Sequence, residues 1–212
     1  MYKVDTKYFQ TIDSQDKAYW LGFILADGYL YKDKYLRIEL AEKDKEHLYK
    51  FRECLNSNIP IKKSVRKSNY IKGEVINNTP SYVFTVSRKD IVKDLIKLGI
   101  TNIDKTKKDI VPAVPLEFKR DFVRGYFDGD GCVSNKKRPE AYLLGHKKLL
   151  NYAVSDLDIN KKLYKEYHSE LSLFKLRWWN KQDLEKLFDY LYQGNNITFL
   201  SRKKEIFSSI VL

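Results

Sequence analysis

Asp27 and Asp130 are the residues of this sequence best placed to do chemistry. Each closes a nearly matching segment, Trp20-Leu-Gly-Phe-Ile-Leu-Ala-Asp-Gly28 and Val123-Arg-Gly-Tyr-Phe-Asp-Gly-Asp-Gly131, and the two aspartates lie 103 residues apart. An aspartate at the C-terminal end of a helix sits where the helix is already negative. Two of them brought together repel unless a cation intervenes. Carboxylates, the helix-end carbonyls of Ala26 and Gly129, and water are hard oxygen ligands that suit Mg²⁺, with Mn²⁺ or Ca²⁺ able to replace it for binding. So few protein ligands leave positions open for water and phosphate oxygens. Metal-assisted phosphodiester hydrolysis needs that arrangement, because the metal lowers the pKa of attacking water and stabilises the leaving oxygen.

Two helices must position these carboxylates. Ser14 is a candidate N-cap for the first, with Asp16 in its first turn. Pro115 suits the first position of the second, with Glu117 close behind. Gly28 and Gly131 are expected in the left-handed position just past each helix end. Gly22 and Ala26 are four apart, as are Gly125 and Gly129, so each pair shares a helix face. Glycine inside a helix costs roughly 1 kcal/mol relative to alanine, and close approach of the two helices would offset it. The alternative is two unrelated buried helices with Asp-Gly turns, and the match over nine positions argues against it.

The rest of the chain repeats the same order. After Gly28 an alternating hairpin leads to a helix over Asp44–Leu55, a basic extended stretch over Ile61–Lys72 and a strand over Tyr82–Val86. A helix to Leu98, capped by Ser87 with Asp90, follows. The second half reads as a hairpin over Cys132–Leu144 and a helix over Lys147–Leu157. Strands follow within Lys162–Tyr167 and Leu171–Trp179, then a helix from the Asn180/Asp183 cap to Tyr192 and a short terminal helix near Lys203. The expected fold class is α+β: two pseudo-symmetric αββαββα halves, each with an antiparallel sheet, packed through the motif helices. The halves are placed at 1–100 and 115–212, with 101–114 as linker.

The 212 residues carry a net charge of +12, with 43% hydrophobic and 14% aromatic residues. The chain can build a core, and its charge calls for a polyanionic partner. No apolar run is long enough to span a bilayer, no basic amphipathic helix suggests a membrane surface, and the first residues lack the apolar core of a signal peptide. The expectation is an intracellular protein, in the cytoplasm of a bacterium, archaeon or phage-infected cell or in an organelle matrix. Cys54 and Cys132 have no zinc-site spacing, and His47, His146 and His168 form no nucleophilic triad. The flanking strands carry Arg37, Lys62, Lys63, Arg66, Lys67 and Lys72 in the first half. Their counterparts in the second are Lys136, Lys137, Arg138, Lys161, Lys162 and Lys165. Interleaved with Tyr31, Tyr35, Tyr70 and Tyr164, they suit phosphate contact and groove reading by a β-ribbon.

The segments LGFILADG and VRGYFDGDG resemble the signature of the LAGLIDADG homing endonucleases. The second is close to the consensus; the first has Leu25 where the family often has Asp, a place held by Asp128 in the second. The resemblance covers nearly the whole chain and implies the monomeric, pseudo-symmetric class, with the two sheets forming a saddle on double-stranded DNA. It also implies that the last Asp of each motif, Asp27 and Asp130, is the metal-binding acid. A basic residue late in each half is expected to orient water or stabilise charge on the scissile phosphate. Lys105 and Lys203 match best, with Lys107 and Arg202 as competitors, while Glu42 and His146 align with a pocket position often occupied by Gln. The function implied is site-specific cleavage of both strands of a long, asymmetric target. The sequence shows no splicing domain, so an intron or free-standing element is expected rather than an intein. The alternatives are an intron maturase that binds RNA, a non-cleaving DNA-binding protein of the same fold, and a generic basic RNA-binding protein. Retention of both aspartates argues against the first of these.

Overall fold

The computed structural model describes residues 2–32, 34–64, 69–71, 74–76, 80–100, 111–135, 138–166 and 173–212. Seven helices and ten strands lie among them. The first half runs α1 (Gln15–Asp27), β1 (Gly28–Tyr31), β2 (Tyr35–Ala41), α2 (Lys45–Cys54), β3 (Lys62–Ser64), β4 (Asn69–Ile71), β5 (Glu74–Ile76), β6 (Ser81–Val86) and α3 (Lys89–Lys97). The second runs α4 (Lys119–Asp130), β7 (Gly131–Ser134), β8 (Glu140–Gly145), α5 (Lys147–Val154), β9 (Leu163–Lys165), β10 (Phe174–Trp178), α6 (Lys181–Tyr192) and α7 (Ser201–Val211). The expected order of elements is present twice. The first half adds a small two-stranded sheet, β4–β5, and the second adds α7.

Each half folds around a four-stranded antiparallel sheet, in the orders β1-β2-β6-β3 and β7-β8-β10-β9. The registers correspond: Gly28 faces Ile38 and Gly131 faces Leu143. In turn Ile38 faces Phe84, and Leu143 faces Leu176. Strand β2 alternates with Leu36, Ile38 and Leu40 buried, so Arg37 and Glu39 point away from the core. The helices cover the inner faces. The rings of Trp20, Phe51 and Phe84 pack in series under the first sheet, and those of Phe127, Phe207 and Phe188 do so beside the second.

Helices α1 and α4 pack against each other at the centre. Helix α1 buries every residue from Ala18 to Ile24, as a helix enclosed on all sides must. A Cβ on Gly22 would overlap the carbonyl oxygen of Phe122 and come within 2.8 Å of the Tyr126 nitrogen; one on Gly125 would overlap the carbonyl oxygen of Tyr19 and come within 3.0 Å of the Phe23 nitrogen. These contacts are reciprocal: adding 103 to 19, 22 and 23 gives 122, 125 and 126. The two helices therefore cross about a local twofold axis with their backbones touching. Gly125→Ala should lower the unfolding free energy by about 2–3 kcal/mol, the scale of forced overpacking. Urea denaturation followed by circular dichroism measures it, and an unchanged midpoint would show that the helices can separate freely.

Several sequence expectations change. Gly28 (φ −73°, ψ 144°) and Gly131 (φ −76°, ψ 152°) are extended, not left-handed, because each helix runs straight into a strand. Glycine is required there by crowding: a Cβ on Gly28 would sit 2.5 Å from the Ile24 carbonyl oxygen, and one on Gly131 would overlap that of Phe127. Pro115 precedes a turn of 3-10 helix (Leu116–Phe118) rather than opening α4. Helix α2 likewise starts at Lys45, after a 3-10 turn at Glu42–Asp44. Helix α3 is preceded by Arg88 with no side-chain cap, so Ser87 and Asp90 do not form the capping pair. The Ser14 and Asn180 caps are present, accepting from the backbone N–H of Lys17 and Asp183.

Candidate active site

Strands β1 and β7 leave the centre of the molecule directly from the ends of α1 and α4, which places Asp27 and Asp130 at the junction of the two sheets. A Cβ on Gly129 would overlap that of Ala26 and lie 3.5 Å from Asp27 Oδ2. The carboxylate of one motif thus reaches the helix end of the other. The Tyr126 hydroxyl donates to the Leu144 carbonyl at 2.6 Å. Burial and the neighbouring Asp130 carboxylate push its phenol pKa well up.

Lys203 enters from α7 and lies buried under the end of α4. Its ammonium donates to the carbonyls of Phe127 (2.8 Å), Asp128 (2.6 Å) and Gly131 (2.5 Å), with Gly129 at 3.4 Å. Burial lowers its pKa, opposed by Asp128, Asp27 and Asp130. Three protons meet four carbonyls, so Lys203 is a fixed positive charge beside both carboxylates at the negative end of the helix. Its neighbour Arg202 forms a two-pronged pair with Asp44, both bonds 2.8 Å, joining α7 to the other half of the molecule. A cavity of about 250 Å³ opens here, lined by Asp27, Asp44, Cys132, Arg202 and Lys203 among others.

Asp128, two residues before Asp130 on α4, is buried. Its carboxylate accepts from the hydroxyls of Tyr19 (2.8 Å) and Tyr192 (2.7 Å) and from the backbone N–H of Leu200 (2.7 Å). Burial raises its pKa despite these bonds. The Tyr19 hydroxyl also meets Nε2 of His47 at 2.8 Å, and Nδ1 of His47 is buried without a partner. Burial pulls the His47 pKa down to about 3. Between that value and the ordinary histidine value the unfolded chain takes up a proton that the folded chain refuses, so stability is full above about pH 6.5 and lost as pH falls towards 3. His47→Leu should flatten this acid limb by up to about 1.4 kcal/mol per pH unit, as read from urea midpoints between pH 4 and 7.

The basic residues divide by position. Lys62 and Lys63 lie on edge strand β3, Lys63 pairing with Glu42 at 3.2 Å. Lys165 is on edge strand β9, Lys161 and Lys162 just before it, and Arg138 in the β7–β8 turn. Arg37 is on the outer face of central strand β2. Glu42 also accepts from the Tyr82 hydroxyl at 3.4 Å, and His146 is buried at the start of α5. Lys105, Lys107, Arg66, Lys67, Lys72, Lys136, Lys137 and His168 lie outside the described residues. Sequence reasoning passed over Lys175 and Arg177 on the outer face of β10, paired with Glu166 at 2.6 Å and with Glu140. The alternation of β10 is their only signal, and it is short.

The fold and site define a pseudo-twofold α+β protein whose two motif helices cross at the centre and end against each other. The family model for the LAGLIDADG-like domain matches residues 14–99 and 117–191, and the chain belongs to that family. Solved structures share the fold. The meganuclease I-SmaMI bound to uncleaveable DNA aligns over 92% of this chain and 88% of its own, at 14% identity and a TM-score of 0.60. I-AabMI bound to uncleaved DNA aligns over 91% and 89%, at 15% identity and 0.56. A probable phosphoenolpyruvate synthase of Methanocaldococcus jannaschii is 27% identical over 125 residues, 57% of this chain but 9% of that protein's length. No helix among the described residues is long and apolar enough to cross a membrane.

Proposed function

We propose that this chain is a site-specific endonuclease that hydrolyses both strands of double-stranded DNA at Asp27 and Asp130 with divalent metal, acting as a monomer. The observation that carries this reading is the meeting of the two motif ends, where the Asp27 carboxylate reaches Gly129 across a backbone-to-backbone helix crossing. DNA-bound relatives of the same fold support it.

The chemistry of the residues suits a hard cation such as Mg²⁺: the Asp27 and Asp130 carboxylates, with the helix-end carbonyls of Ala26 and Gly129, would be its oxygen ligands. With two side-chain ligands, the remaining positions of such an ion would go to water and phosphate. A divalent ion held by Asp27 and Asp130 would supply activation of water and stabilisation of the leaving oxygen. Lys203 contributes as a fixed charge, offsetting the two carboxylates and the end of α4. Arg202, held by Asp44, ties α7 to the first half beside this cavity. Edge-strand lysines grip the backbone while the outer sheet faces meet the groove.

The test is cleavage of a duplex carrying the uninterrupted insertion sequence of the encoding element, in Mg²⁺ and in chelator. Linear product in Mg²⁺ alone supports the reading. Tight binding without cleavage in Mg²⁺ or Mn²⁺ would overturn it in favour of a DNA-binding protein.

A further inference from the structure

We infer that Arg37 and Arg177 each read a guanine in the major groove, one in each half of the duplex target, and that the two guanines stand at unequal distances from its centre. The inference deepens the endonuclease reading and rests on it.

The two arginines occupy the same rung of the two sheets. In the first half the outward rung is Tyr29–Arg37–Thr85; in the second it is Cys132–Tyr142–Arg177. The registers make Arg37 equivalent to Tyr142 and Thr85 equivalent to Arg177. Each half thus carries one arginine on this rung, on neighbouring strands. Both strands are interior to their sheets, whereas Lys62, Lys63 and Lys165 lie on edge strands. An edge strand lies nearer the phosphate rails and a central strand faces the groove floor, where base identity is displayed.

Each arginine is also fixed before DNA arrives. Arg37 Nη2 donates to Glu39 at 2.8 Å, and Glu39 in turn accepts from the Ser81 hydroxyl at 2.5 Å. Arg177 donates to Glu140 through Nε at 2.7 Å and also through Nη2, and its guanidinium lies 5.8 Å from the Trp179 ring centre. A phosphate-binding arginine gains little from a carboxylate beside it, which weakens its attraction for anions. A base-reading arginine gains orientation, since less side-chain freedom is lost on binding. In both cases a second guanidinium edge stays available for the paired O6 and N7 acceptors of guanine.

The carboxylates pull in opposite directions. The strands β2 and β8 run towards the centre, because β1 and β7 start there and are antiparallel to them. Glu39 follows Arg37 on β2 and draws its head inwards. Glu140 is at the outer end of β8, two residues before the Tyr142 that faces Arg177, and draws that head outwards. The guanine read by Arg37 therefore lies nearer the centre.

The experiment selects a randomised duplex library on the wild-type protein, Arg37→Lys and Arg177→Lys in Ca²⁺. Lysine keeps the charge and removes the two-pronged geometry. The wild type is expected to enrich one guanine in each half-site, the one assigned to Arg37 closer to the centre. Each variant should lose about tenfold of the preference at one position, with the other positions unchanged. An enrichment that neither substitution alters, or a uniform loss of binding across all sequences, overturns the inference while leaving the endonuclease reading intact. A wild type that enriches no sequence overturns that reading as well.

Discussion

Asp27→Asn and Asp130→Asn should each reduce double-strand cleavage by at least about 10²–10³-fold, the scale of removing one group that stabilises developing charge, while duplex binding changes little. Asparagine keeps the shape and one oxygen of the carboxylate but not the charge that holds a divalent cation. The two aspartates close equivalent helices, so each is expected to serve the strand its own half-site presents. Loss of one should leave nicked product as the residual signal. Supercoiled plasmid resolved into nicked and linear forms reads both effects, and melting curves confirm that the variants fold. A single variant that forms linear product at the wild-type rate would remove that aspartate from the site.

The repeat of nine positions was the most legible feature of the sequence, and the reason is physical. The helices cross at Gly22 and Gly125, where a side chain would overlap a carbonyl on the partner, so the crossing dictates residue type at fixed spacing. Strand order was legible through alternation, as in Leu36, Ile38 and Leu40. The helix ends were misread because glycine serves both a left-handed turn and a tight approach; at Gly28 and Gly131 it serves the second. The role of Lys203 was not legible. A lysine in Ser201-Arg-Lys-Lys looks the same whether it faces water or four carbonyls, and only tertiary packing of α7 on α4 and β7 decides it. Arg177 was missed for a related reason: its partner Glu140 lies on another strand, and no local pattern records that pairing.

The second half supplies more to the shared site than the first does among the described residues. Helix α7 brings Lys203 and, through Arg202 and Asp44, a further contact between the halves. What holds α7 is Asp128, whose carboxylate accepts the N–H of Leu200, the residue that precedes the helix. The first motif has Leu25 at the corresponding place. The departure from strict symmetry at this position thus has a structural use: the third motif aspartate anchors the element that brings the site its buried cation.

Asp128→Leu should therefore cost about 4 kcal/mol. Three buried donors lose their acceptor, and each unsatisfied group costs about 1–3 kcal/mol, with part recovered because Tyr19 can still reach His47. Asp128→Asn should cost much less, about 1 kcal/mol. Its oxygen can accept from Leu200 and Tyr19, and the Tyr192 hydroxyl can turn to accept from the amide. Removing the charge also ends the desolvation that raises the Asp128 pKa. The sign follows: an acid whose folded pKa is raised favours the folded state at low pH, and that advantage is lost as pH rises from about 3.8 through the folded value. Asparagine does not titrate, so its stability relative to wild type should improve across that window. Urea titrations at pH 4 and pH 7 measure both statements, and hydrogen exchange at the Leu200 amide should show protection lost in the leucine variant and retained in asparagine. If leucine proves as stable as wild type, the carboxylate does not anchor α7 and its three hydrogen bonds contribute no net stability.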